Sequence, residues 1–86
     1  MLSPMKARVH VALKTTVLDP QGQTIRAALE GLGYRGITDV RQGKYFDISI
    51  DAGAGREQVR KDLEAIAHDV LANPVIEEYR VELLED

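Results

Sequence analysis

The chain has 86 residues, no cysteine and a formal charge of −3, a length that means one domain near the lower limit of a self-sufficient core, one that gains from association. The missing cysteines exclude a disulfide framework, thiolate metal sites and a cysteine nucleophile, and without a basic excess nucleic acid is not an expected partner. No apolar run is long enough to cross a bilayer and the first residues form no apolar leader, so the expectation is a soluble, untargeted protein with no membrane partner, for which a cytoplasmic location fits.

Residues 1–5 read as an N-terminal extension to a single domain covering 1–86. From Lys6 to Lys14, "KARVHVALK" alternates, with Ala7, Val9, Val11 and Leu13 on one side, which predicts a half-buried strand. Asp19 and Pro20 are a capping residue and a first-turn residue, and Ile25, Ala28, Leu29 and Leu32 follow at helical spacing. Gly33 stands where a left-handed helix end is wanted. The stretch "GITDVRQGKYFDISID" predicts two strands forming an antiparallel hairpin, Ile37–Arg41 and one carrying Phe46, Ile48 and Ile50, broken around "RQGK". Arg56 to Leu71 predicts a second helix with Val59, Leu63, Ile66, Ala67, Val70 and Leu71 on its buried face. Asn73 and Pro74 stop it, and Tyr79, Val81 and Leu83 alternate in a last strand.

The expected fold is therefore α+β, a two-layer α/β sandwich of βαββαβ order. It resembles the ferredoxin-like arrangement, with two helices on one face of an antiparallel sheet. Arg8, His10, Lys14, Asp47, Ser49, Asp51, Arg80 and Glu82 would share the other face, a mixed-charge surface suited to solvent or a polar interface.

Residues able to carry chemistry are few. His10 and His68 are the only histidines, one on a strand and one on a helix, so no metal site is expected. Asp47, Asp51, Glu77 and Glu78 are carboxylates with no sign of the burial that tunes a catalytic acid or base. "GAGREQ" lacks both the third glycine of a dinucleotide fingerprint and the ending of a P-loop. Tyr45 and Phe46 are adjacent and so face opposite ways, against an RNA-binding strand.

Three segments carry a family resemblance: "VLDPQG" at Val17–Gly22, "VRQGK" at Val40–Lys44 and "NPVIEEY" at Asn73–Tyr79. With the intervening chain from Lys6 to Leu83 they closely resemble the small-subunit (PurS) family of phosphoribosylformylglycinamidine synthase, a multi-subunit amidotransferase of de novo purine biosynthesis. The resemblance implies a non-catalytic subunit of a ligase complex, with no catalytic, cofactor or metal residues on this chain. Its implied partners are a glutaminase subunit that releases ammonia and a large synthetase subunit that uses ATP and magnesium to convert formylglycinamide ribonucleotide (FGAR) to FGAM. The chain would dock the two, support ammonia transfer, and itself associate as a homodimer or dimer of dimers.

Within that reading Arg41, Gly43, Lys44, Asn73, Pro74, Glu77 and Tyr79 are the expected subunit-interface residues. Asn73 and Pro74 shape a sharp exit from the helix, Glu77 and Tyr79 are offered to a neighbour, Arg41 and Lys44 meet acidic or carbonyl groups, and Gly43 permits close backbone approach. The alternatives are a solvated hairpin and a helix stop before an edge strand. At the level of function, an ACT-like small-molecule-binding module shares the element order, and a stand-alone enzyme would need a site that the sequence does not display.

Overall fold

The computed structural model describes residues 5–51 and 53–84, so residues 1–4 of the expected extension lie outside the described residues. The elements are β1 (Met5–Leu13), α1 (Pro20–Gly31), β2 (Gly43–Ile50), α2 (Arg56–Ile66) and β3 (Glu77–Leu84), with a π-helical turn at Ala67–Leu71 prolonging α2. Met5 is the first residue of β1, opposite Ile50.

β1 lies at the centre of an antiparallel sheet of order β2-β1-β3. Its alternation sets the register: Ala7 faces Ile48 and Leu83 across the two ladders, and Val9 faces Phe46 and Val81. Cross-strand neighbours on a pleated sheet share a face, so this register gathers the apolar residues of all three strands on one side. Ala7, Val9 and Val11 are fully buried there, and burial of each valine contributes roughly 1.5–3 kcal/mol.

The cover on that side is α2. Val59, Leu63 and Ala67 are buried and Leu71 half-buried, each four residues after the last. An i, i+4 stripe drifts around an α-helix, and the wider π turn, closed by Ala72 N–H donating to the Ala67 carbonyl at 2.9 Å, slows the rotation and keeps Leu71 over the sheet. The stripe is consequently narrower than expected: Ile66 is partly exposed and Val70 is 74% exposed.

α1 forms as its end signals require. Asp19 accepts a hydrogen bond from Gly22 N–H at 3.0 Å, and Pro20 opens the first turn. At the far end Gly33 takes φ 99°. Gly33 N–H reaches the Glu30 carbonyl and Tyr34 N–H the Leu29 carbonyl, both at 3.0 Å, the paired closure that needs a left-handed residue.

Two local expectations are corrected within this α+β order. Ile37–Arg41 is not a strand: this segment is irregular, and the chain enters the sheet only at Gly43. The order β2-β1-β3 is what the ferredoxin-like arrangement gives when its second strand is left out. Without that strand beneath it, α1 does not lie on the sheet beside α2. Gly22 is its only buried residue, and Ile25 and Leu32 are exposed.

Candidate functional site

The irregular path of residues 37–42 has a specific cause, and it builds the site. Asp19, 5% exposed, uses one carboxylate oxygen to cap α1 and the other to accept Gln42 N–H at 2.7 Å. Arg41 reaches the same loop from the opposite direction: Nη1 donates to the Val17 carbonyl at 2.7 Å and Nη2 to the Thr15 carbonyl at 2.6 Å. Gly22 closes the contact, since a Cβ there would overlap the Val40 carbonyl. One backbone N–H of this segment, that of Gln42, and the guanidinium of Arg41 are thus tied to the loop between β1 and α1 rather than to a neighbouring strand.

The N–H groups of Gln42 and then Gly22 hold the Asp19 carboxyl below the usual aspartate range, against the opposing effect of burial. This ionised carboxylate joins "VLDPQG" to "VRQGK". Gly43 then lies close against β1, where an added Cβ would stand 2.9 Å from the Val11 carbonyl.

The third segment arrives through β3. Lys14 N–H donates to the Ile76 carbonyl at 2.9 Å, bringing "NPVIEEY" to the same end of the sheet. Its turn is self-contained. The Asn73 side chain accepts Val75 N–H at 3.2 Å, the Asn73 carbonyl accepts Ile76 and Glu77 N–H at 3.1 and 2.7 Å, and Glu77 Oε1 accepts Asn73 N–H at 2.7 Å. Asparagine suits this role because its side chain mimics a backbone turn. Pro74, Val75 and Ile76 are left on the outside, Val75 at 77% exposure.

Where the three segments meet, a cleft of about 290 Å³ opens, lined by β1 residues 11–13 with Asp19, Gln21, Gln42, Gly43, Lys44 and Glu77. Of the seven expected interface residues, the structure brings Gly43, Lys44 and Glu77 together here. Arg41 is fastened to carbonyls of its own chain, Asn73 to its own turn, and Pro74 is exposed beside that turn. Tyr79 is half-buried against the cluster of Val9, Val11 and Ala67, with the His68 ring edge-on at 6.3 Å. Asp19 was visible in the sequence only as a helix cap. Its second bond, like the role of Gln42, depends on a partner 23 residues away and has no local signal.

Carboxylates and guanidinium at the rim are engaged with backbone groups. On the open face of the sheet, Arg8 pairs with Asp47 at 2.8 Å and lies over Tyr45, while His10 meets Glu82 at 3.3 Å. Among the described residues no three His, Asp or Glu side chains are grouped to hold a metal ion. None of the described helices is long and apolar enough to cross a membrane.

Comparison with known proteins adds a family. Residues 6–85 match the profile described as "PurS: Phosphoribosylformylglycinamidine (FGAM) synthase". The chain is 47% identical over 76 residues to the phosphoribosylformylglycinamidine synthase subunit PurS of Mycobacterium leprae, covering 88% of this chain and 91% of the relative. It is 40% identical over 84 residues to that of Bacillus subtilis, covering 93% of each. Among solved structures, Methanocaldococcus jannaschii PurS superposes with TM-score 0.83 at 35% identity, over 95% of this chain and 98% of that one. A chain of PurLQS from Thermotoga maritima superposes with TM-score 0.84 at 28% identity, over 96% and 100%.

Proposed function

Because this chain belongs to the PurS family of phosphoribosylformylglycinamidine synthase, we propose that it is the non-catalytic small subunit of that ligase, docking a glutaminase subunit to an ATP- and magnesium-dependent synthetase subunit. One observation carries the docking role. The three segments that bear the family resemblance fold into a single rim in which Asp19, Arg41, Asn73 and Glu77 hold backbone groups in place, leaving a shaped edge. A relative from Thermotoga maritima is described in a PurLQS assembly, which supports the same reading. The physical need is alignment: ammonia released at one site has to reach another before bulk water protonates or dilutes it. A rigid adaptor satisfies that need without doing chemistry. Nothing in the structure or the relatives favours the ACT-like alternative.

In this reading the seven motif residues divide their work. Lys44, Pro74 and Glu77 stand at the rim that meets a partner subunit, while Arg41, Gly43, Asn73 and Tyr79 keep that rim in shape. The exposed apolar side of α1 suits a homodimer, from which a dimer of dimers can be built, in the cytoplasm with the rest of the complex.

Reconstitution tests the function. Synthesis of FGAM by the large subunit and glutaminase is assayed with glutamine and, separately, with ammonia, in the presence and absence of this chain. Omission should abolish most of the glutamine-dependent rate and spare the ammonia-dependent one. Two rates equally indifferent to the chain would overturn the docking role.

A further inference from the structure

A second cavity, about 570 Å³ and larger than the motif cleft, opens on the flank of α1. It is lined by Arg26 and Glu30 of the helix and by Tyr34, Arg35, Ile37 and Thr38 of the segment after it. The lining carries two arginines and one glutamate, in a chain whose overall charge is −3. Arg26 Nη1 lies 3.1 Å from Glu30 Oε2, whereas Arg35 has no hydrogen-bond or ion-pair partner among the described residues. The Tyr34 and Thr38 hydroxyls add donors, and the Tyr34 ring with Ile37 adds an apolar wall.

We propose that this cavity binds a phosphate monoester, its phosphate held by Arg35 and Arg26 and its planar or apolar body set against Tyr34 and Ile37. Guanidinium forks match phosphate oxygens two at a time, and an arginine with no partner needs no other contact broken before it binds. The cavity does not compete with association through α1. At 100° per residue, Arg26 and Glu30 lie roughly 130° around the helix from the stripe of Ile25, Ala28, Leu29 and Leu32. A second copy covering that stripe leaves this flank open. The inference stands apart from the docking role and is tested without partner subunits.

The test titrates the full chain with phenyl phosphate and with inorganic phosphate at constant ionic strength, following the amide NMR signals of Tyr34, Arg35, Ile37 and Thr38. Saturable shifts are expected, with phenyl phosphate the tighter ligand. Arg35→Ala should weaken it about ten-fold, the scale of a lost charge-assisted hydrogen bond. Glu30→Gln should tighten it several-fold, because that carboxylate both occupies Arg26 and repels the phosphate; loss of a merely structural contact would not improve binding. The proposal fails if the shifts do not saturate, if chloride reproduces them, or if Glu30→Gln leaves affinity unchanged. Tighter binding of an acidic peptide that displaces phenyl phosphate would assign the cavity to a protein chain instead.

Discussion

Both oxygens of Asp19 accept backbone N–H groups, one three residues ahead and one 23 residues ahead. The near bond starts α1, and the far bond fixes where the chain re-enters the sheet. Because the folded-state pKa is depressed below the ordinary value of 3.8, the ionised form is favoured more in the folded than in the unfolded chain. Its stabilising contribution is therefore complete above the unfolded pKa and is lost as pH falls through the folded one. Asparagine at this position keeps one acceptor but turns an amide toward the second N–H. Asp19→Asn should melt below wild type at neutral pH, and the gap should narrow as pH is lowered from about 5 to about 2. Thermal unfolding followed by circular dichroism across that range decides the matter, a gap independent of pH being the adverse result.

At the scale of elements, what the sequence disclosed and what it hid follow the reach of the interactions. The alternation of β1, the cap at Asp19, the left-handed Gly33 and the stop at Asn73–Pro74 are local, and each appears in place. Ile37–Arg41 alternates as a strand does, yet tertiary hydrogen bonds at Arg41 and Gln42 outweigh that preference. The motif segments that frame the site were likewise legible, but their mutual clasp was not, since Arg41 finds its acceptors 24 and 26 residues away. Val70 was misplaced for a subtler reason: ideal α periodicity puts it on the buried stripe, and one π turn rotates it out. That rotation is measurable. Leu63→Ala should cost about 2–5 kcal/mol, through lost burial and an unfilled cavity. Val70→Ala should stay within about 0.5 kcal/mol. Chemical denaturation of the two variants distinguishes them, and a large loss at Val70 would mean that the end of α2 packs as an ordinary helix.

The whole molecule extends over 52 × 30 × 14 Å, a flat outline for so short a chain. Its accessible surface is 6379 Å², whereas a compact monomer of this length exposes about 5,000 Å². The surplus is comparable with what one partner contributes to a stable interface. Much of it has an address: α1 makes no layer with its own sheet, and Ile25 and Leu32 stand 40% and 75% exposed along its apolar side. On the proposed homodimer, a second copy would remove that surface from water, and charges placed there would oppose the removal directly. Ile25→Glu combined with Leu32→Glu should weaken self-association roughly 100-fold or more, since each buried carboxylate would have to be desolvated without a partner. The fold should survive, because neither residue touches the β1–α2 core. Light scattering on the eluting protein gives the mass, and far-ultraviolet circular dichroism gives the fold. Wild type should elute as a multiple of the chain mass and the double variant as a smaller, folded species. If wild type is monomeric, or the variant keeps the wild-type mass, the exposed side of α1 is not what joins the copies. Its apolar residues would then face a different subunit of the synthase, and the same variant should fail in the glutamine-dependent assay instead.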